Sequence, residues 1–297
     1  MEPAQSEWWA SFYEGAWAMR AQIFRQMIDE GERHPYRLIK RLEAQERRNR
    51  LVRTDDSEFA WVPRVPEGEA LLPCGTPVFR KRSLRGDFVT VSYHATANLH
   101  NVIIDYIAET GPYDAVVELG CGYGRNIFEM WYQGVPARMR YYGGEYTDSG
   151  VAIARELAAL EPALDATFFH CDHTAPDFSS IPRLPRALVF TMHSIEQVKT
   201  ISPSWFEEAA SIADEVVGLN FEPFGFQLGD LGQASRLHRS VAEQREWNQN
   251  FAQALVAACN TGVVTLDTIM QEVFIGAEDN PTSLAVWRAR DVPRRVR

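Results

Sequence analysis

The sequence predicts an α/β protein: a mostly parallel sheet covered by helices, with an antiparallel edge hairpin and a helical segment in front. Three observations carry this. From about residue 97, short apolar runs alternate with amphipathic ones, as when parallel strands are buried on both faces. The first of these runs opens into a glycine-rich turn, VVELGCGYGRN at 116–126. The last two, VVTLDTIMQEVFIG and TSLAVWRAR, are joined by AEDNP, which has the texture of a hairpin.

Taken in order, residues 6–30 form an amphipathic helix. Trp8, Phe12, Ala16, Met19, Ile23 and Met27 recur at intervals of three and four, and Trp9, Tyr13 and Trp17 make a second row beside them. Such a helix packs against a core or pairs with a second subunit in a homodimer. The run HPYRLIKRLEAQERRNRLVR, between Arg33 and Arg53, is basic, but Glu43 and Glu46 are interleaved as on a solvated helix face. Residues 54–90 (VPRVPEGEALLPCGTP, then FVTVSY) read as an irregular connection or short hairpin. NLHNVIIDYIAETG is a helix stopped at Gly111. Then AVVEL is a strand, RNIFEMWYQG a helix and RYYGGEY a strand. DSGVAIARELAAL is a helix with Asp148 as its expected cap. ATFFHCD and RALVFTM are strands, SPSWFEEAASIA a helix and DEVVGLNFEP a strand. QASRLHRSVAEQREWNQNFAQALVAACNTG reads as one long helix ending at Gly262. The expected division is a covering segment over 1–95 and a main domain over 96–297.

Composition narrows the class. The chain has 297 residues, 45% hydrophobic and 24% charged, with a formal charge of −10. Those values suit an ordinary globular protein and argue against nucleic acid or anionic lipid as a general partner. No window is apolar enough to cross a bilayer, and the amino terminus lacks the pattern of a secretory signal. Cys74, Cys121, Cys171 and Cys259 show no short pairing interval, so reduced thiols and a cytoplasmic setting are expected.

The turn after the first strand asks what it holds. Gly120, Gly122 and Gly124 fall at alternate positions. A triphosphate loop would continue with Lys and Ser or Thr, and here Arg125 and Asn126 follow. A dinucleotide loop needs a third glycine where Arg125 stands, which leaves an oxidoreductase as runner-up. Glu118, two residues before Gly120, would repel a pyrophosphate and attract an ammonium or sulfonium. Glu145 ends the second core strand, followed by Tyr146, and Asp172 ends the third with His173 beside it. Carboxylates at those ends can accept from ribose hydroxyls and an adenine amino group. In HCDH at 170–173, neighbours on a strand face opposite ways, so no metal is expected.

On these residues the sequence resembles the class I S-adenosylmethionine-dependent methyltransferases, from about residue 97 to 290. The matching strand ends are VVELGCGYG, YYGGEY and FFHCD. The resemblance implies a Rossmann-like seven-stranded sheet with a reversed last strand, and S-adenosylmethionine as cofactor. Gly120, Gly122 and Gly124 would underlie its methionine part, with Glu145 on the ribose and Asp172 on the adenine. Glu118, Asn126, Tyr146, His173 and His193 complete the expected cofactor set.

The acceptor is expected at the fourth and fifth strand ends. TMHSIEQ offers His193 as a base, with Ser194, Glu196 and Gln197 to act on or orient the substrate. LNFEPFG offers Asn220 and Glu222, and EWNQNF places Trp247, Asn248 and Asn250 nearby. Tyr93 and His94 stand just before the core. This acidic, amide-rich set suits a small polar metabolite carrying an amine or thioether, without excluding a hydroxyl. The alternatives are an RNA or protein methyltransferase using the basic run, or a cofactor-binding protein without activity.

Overall fold

The computed structural model describes residues 5–54, 58–63, 78–93, 95, 98–136 and 138–294, with side chains from residue 10 onward. His94, Cys74 and most of the proline- and glycine-rich stretch lie outside the described residues.

The chain begins with α1 (Gln5–Asp29), α2 (Pro35–Arg48) and a hairpin, β1 (Asn49–Arg53) with β2 (Phe59–Pro63). A second hairpin follows, β3 (Phe79–Leu84) with β4 (Asp87–Ser92). Next come α3 (Leu99–Thr110), β5 (Ala115–Leu119), α4 (Arg125–Tyr132), β6 (Arg140–Glu145), α5 (Asp148–Ala159), β7 (Ala166–His170) and β8 (Leu184–Met192). After a 3₁₀ turn at Ile195–Gln197 the chain forms α6 (Trp205–Ala210), β9 (Ala213–Glu222), α7 (Gly225–Leu228), α8 (Gln233–Gln244) and α9 (Phe251–Asn260). It closes with β10 (Thr265–Ala277) and β11 (Asn280–Arg290).

Seven of these strands make the sheet the resemblance implied, in the order β7-β6-β5-β8-β9-β11-β10. The first five run parallel, and β11 is antiparallel to β9. The sheet is longer than expected, because the β3–β4 hairpin joins the outer edge of β10 through Ser83 and Gly276 and brings it to nine strands. The chain leaves β5 toward β6 and β7, then returns to its other side as β8. That reversal opens a crevice at the carboxyl ends of β5 and β8.

Alternation along the strands splits the core. Val116, Tyr141, Leu188, Phe190 and Val217 face one side, and Val117, Tyr142, Val189, Val216 and Trp287 the other. On the first side, α3, α4 and α5 share their apolar cluster with Ala21, Phe24 and Met27 of α1 and Leu38, Ile39 and Leu42 of α2. The first helix therefore folds back on its own core, and the basic run is an amphipathic helix with a buried stripe only as far as Arg48, its last five residues forming β1. On the second side α6 and α9 cover the sheet, with Trp205, Phe206 and Phe251 fully buried.

Two further local predictions are corrected. The cap of α5 is Thr147, whose hydroxyl accepts from the Gly150 amide at 3.2 Å, and Asp148 is the first helical residue. The long helix is broken into α8 and α9, with Glu246 and Asn248 in left-handed conformation between them. Two non-glycine residues with positive φ cannot continue a helix.

The outer strand β10 is irregular, with register shifts against β11 near Thr268, Phe274 and Ala277. Within the longest shift Glu272 has φ +51 and is fully buried. Its carboxyl accepts from the Ser235 hydroxyl at 2.6 Å, which ties the bulge to α8.

Phe24 has no exposed surface and packs on the ring of Tyr123 with centroids 5.0 Å apart. Phe24→Ala should lower the unfolding free energy by about 3–5 kcal/mol in urea denaturation, since a buried aromatic is replaced by a cavity. A loss below about 1 kcal/mol would contradict the packing of α1 into the core.

Candidate active site

The glycine turn is shaped first by the protein's own packing. Gly120 has φ +91, and a Cβ there would stand 2.1 Å from the Cβ of Ser194. Gly122 has φ +56, and a Cβ there would meet the Trp17 indole at 2.5 Å. A side chain at either position would bring both backbone strain and overlap. The amides of Gly120 and Cys121 donate to the Gly144 carbonyl at 2.7 and 2.9 Å, which binds the turn to the end of β6. Gly124 ends the turn against the ring of Phe168.

Above Gly120 lies a cavity of about 480 Å³. Its floor comes from the carboxyl ends of β5, β6 and β7: Gly120, then Glu145, Tyr146 and Thr147, then Cys171, Asp172, His173 and Thr174. One wall is the segment after β8, with Ser194 and Gln197 through Thr200. A second is the break between α8 and α9, with Arg245, Glu246 and Trp247. Ala10, Tyr13 and Trp17 of α1 complete it. The Glu14 carboxylate accepts from the amides of Asp148 and Ser149 at 3.0 and 3.1 Å, and Arg25 pairs with Glu156, so α1 is fastened along α5. No helix among the described residues is long and apolar enough to cross a membrane. None of their groups of His, Cys, Asp and Glu could hold a metal ion.

The acids behave differently from one another. Asp172 stands two residues beyond β7, in a turn where Oδ1 accepts from the amide and hydroxyl of Thr174, both at 2.7 Å. Glu145 is buried; Oε1 accepts from the amide and hydroxyl of Thr147 at 2.9 and 2.8 Å, and Oε2 from the Gly122 amide at 2.9 Å. Burial raises its pKa against the pull of those hydrogen bonds. A carboxylate offers about four lone-pair directions, so about one remains for a ligand. Glu118 does not line the cavity. It is buried with Oε1 accepting from Asn126 at 2.6 Å, and burial pushes its pKa up to about 8. At neutral pH it is mostly uncharged, so the charge expected before the turn is largely absent. Asn126 is spent on that pair and sits outside the cavity.

His173 has both ring nitrogens engaged. The Trp205 indole can only donate, and it does so to Nδ1 at 3.0 Å, so Nε2 carries the proton toward the Ser194 hydroxyl at 3.2 Å. Ser194 donates onward to the Leu119 carbonyl at 2.8 Å. Burial pushes the His173 pKa down to about 4, so it is neutral.

His193 and Glu222, read from sequence as catalytic, do not line this cavity. His193, at φ +53, turns toward β11, with Nε2 2.7 Å from Thr282 and Nδ1 3.2 Å from Glu196. Burial lowers its pKa, but the charge and hydrogen bond of Glu196, with Glu222 behind, outweigh that and the net direction is up. Glu222 lies fully buried beneath the segment after β8, accepting from the amides of Ser194 and Glu196 at 3.1 and 3.3 Å. Burial raises its pKa to about 7. Glu196 also accepts from Asn280 at 2.7 Å and stands outside the cavity.

Three expected substrate amides are structural instead. Asn220 is buried, accepting from Trp287 at 2.8 Å and donating to Thr191 at 2.9 Å. Asn250 holds the backbone of Ile201 through 2.8 and 3.0 Å bonds, and the Asn248 backbone N–H donates to the Val198 carbonyl at 2.8 Å while its side-chain Oδ1 accepts from Gln227 at 3.2 Å. Together the last two clamp the break between α8 and α9 to the wall that carries Lys199. Tyr93 lines a different cavity. Of the expected acceptor residues, Ser194, Gln197 and Trp247 remain at the first.

Sequence reasoning missed Tyr13, Trp17, Thr147, Lys199, Thr200 and Arg245. Periodicity alone places the two aromatics in helix packing. Arg245 was hidden inside the long helix, although the asparagines of EWNQN were a signal for a left-handed break.

No family model and no curated protein matches the sequence. Solved structures do. Geranyl diphosphate C-methyltransferase from Streptomyces coelicolor A3(2), in complex with Mg2+, geranyl diphosphate and S-adenosyl-L-homocysteine, is similar at 15% identity and a TM-score of 0.45, over 65% of this chain and 80% of that one. The CcbJ methyltransferase from Streptomyces caelestis is similar at 14% and 0.43, over 64% and 89%. The N-terminal domain of EvdMO1 with SAH bound is similar at 11% and 0.41, over 67% and 83%. At these values the fold assignment rests on the strand order described above.

An unfolded His173 titrates near 6.5 and the buried one near 4. In between, only the unfolded chain binds the proton, so the stability is present above 6.5 and lost as pH falls toward 4. The stability advantage of wild type over His173→Asn should shrink by about 2–3 kcal/mol from about pH 7 to pH 4 in urea denaturation. A difference independent of pH would contradict the buried neutral imidazole.

Proposed function

We propose that this protein is an S-adenosylmethionine-dependent methyltransferase that acts on a small polar metabolite carrying an amine or thioether. One observation supports this above the others. Gly120, Glu145 and Asp172 stand at the carboxyl ends of three adjacent parallel strands and line one cavity closed by the aromatic face of α1. The residues suit the cofactor. Asp172 keeps Oδ2 for an adenine amino group, and Glu145 keeps about one lone pair for a ribose hydroxyl. A grip on both hydroxyls requires a present donor to give way, and the Gly122 amide is the simplest. The position where a dinucleotide loop has its third glycine holds Arg125, and that guanidinium pairs with Glu43 at 2.6 Å. Nothing at the turn is arranged to hold a pyrophosphate.

When bound, the cofactor supplies a methyl group activated by a sulfonium, so this chain's task is mostly placement and dryness. Residues 1–95 act in this proposal as the covering segment, with Tyr13 and Trp17 excluding water above the turn. Ser194, held by His173 and Glu222, fixes the edge along which donor and acceptor meet. Gln197, Tyr13, Arg245 and Trp247 face the acceptor. With His173 neutral and engaged at both nitrogens, and His193 turned toward Thr282, the described residues of the cavity offer no imidazole as a base. That favours an acceptor that arrives as a nucleophile: a thioether or a neutral amine.

Glu145→Ala should weaken S-adenosylmethionine binding by about 1.5–3 kcal/mol, roughly tenfold to a hundredfold, in calorimetry. Unchanged affinity would contradict the ribose assignment. Saturable binding of a nicotinamide dinucleotide instead would overturn the cofactor. Methyl transfer measured over a panel of small amines and thioethers tests the acceptor, and activity confined to RNA or protein would refute it.

A further inference from the structure

Lys199 and Glu246 line the first cavity from two adjoining walls and form an ion pair. Lys199 belongs to the segment after β8, and Glu246 to the break between α8 and α9. Four hydrogen bonds hold those two segments together. The Asn248 and Gln249 backbone N–H groups donate to the Val198 and Lys199 carbonyls at 2.8 and 2.7 Å, and the Asn250 side chain binds both backbone groups of Ile201. Glu246 also keeps φ +54, a conformation that a residue with a side chain holds only where its surroundings enforce it. The backbones that carry the pair are therefore fixed.

The pair itself is not. Its side chains are 61% and 41% exposed, and an ion pair open to water in this way adds little to stability. The two side chains can part at small cost while the walls stay in place. What enters between them is then chosen by charge. A ligand with one group of each sign gives Lys199 a carboxylate and Glu246 an ammonium, and every charge remains compensated. A ligand with a single charge satisfies one residue and strands the other, which is how a site rejects it. Arg245, beside Glu246, lies against the Trp247 ring, 4.6 Å from its centroid, and stands outside this exchange.

We propose that Lys199 and Glu246 select a zwitterion, an α-amino acid whose head enters between them and whose other end reaches toward Ser194 and Gly120. This selection rests on the methyl-transfer reading and narrows its acceptor class. An ammonium held by Glu246 keeps its proton and has no lone pair with which to attack. The methyl group therefore goes to a thioether or amine in the side chain of that amino acid, and the α-nitrogen is spared.

The test is calorimetric titration of the full chain with three thioethers of matched length. S-methyl-L-cysteine carries both charges, 3-(methylthio)propanoate lacks the ammonium, and 2-(methylthio)ethylamine lacks the carboxylate. Each is titrated with and without saturating sinefungin, an unreactive analogue of the cofactor whose ammonium stands in for the sulfonium. S-methyl-L-cysteine should bind saturably and about tenfold or more tighter than either analogue, the effect of one charge-assisted hydrogen bond. Lys199→Gln should move the preference toward the amine and Glu246→Gln toward the propanoate, opposite movements that a merely loosened wall would not produce. The melting temperature reports whether the variants fold, and should either not fold, the wild-type preference among the three compounds still decides. Equal affinity for the three overturns the proposal, as does absence of saturable binding by S-methyl-L-cysteine or a movement in the same direction in both variants. Failure of sinefungin to bind would count against the cofactor instead, and the charge preference is then read from the protein alone.

Discussion

The site depends on how closely two chain crossings approach at the point where strand order reverses. Gly120 leaves β5 and Ser194 leaves β8, and they touch where not even a Cβ fits between them. That contact brings the glycine turn under one wall and the segment after β8 against it. Behind Ser194 a buried ladder takes over: His173 and Trp205 on one side, Glu222, Thr191 and Asn220 on the other. Polar groups at this depth are costly unless satisfied, so the ladder also fixes geometry.

Burial then decides which acids carry charge. Glu118 and Glu222 are enclosed and pushed toward the neutral form, while Asp172 sits in a turn at the cavity rim. Glu145 lies between these cases, buried but supplied with three donors. Of these, Asp172 and Glu145 are the carboxylates that face the cavity. The acid before the glycine turn contributes mainly its hydrogen bond to Asn126.

The fold was largely legible because it is written in short-range signals. Apolar runs of strand length, glycines after strands and the AEDNP turn each report local backbone geometry. The floor of the first cavity was legible for the same reason, since Gly120, Glu145 and Asp172 stand at strand ends. Its walls were not. Whether Asn220 points into a cavity or toward Trp287 depends on a partner 67 residues away. His193 turns toward Thr282 on a strand that the sequence shows only as a hairpin. The break after Gln244 was lost because its flanks both have helical periodicity, and only tertiary pairing with Val198 and Lys199 fixes it. The β3–β4 extension of the sheet rests on one bridging pair, too slight a feature for any pattern to reveal.

The irregular course of β10 bears on how these molecules behave beside one another. An extended strand at a sheet margin offers a row of unsatisfied amides and carbonyls to any neighbouring chain. Here the shifts of register and the inward turn of Glu272 break that row, and the β3–β4 hairpin occupies part of it. A second molecule seeking to add its own strand would find no continuous template, even though Leu266 and Met270 are exposed there. The bulge that fastens β10 to α8 thus also makes self-association into extended sheets unfavourable.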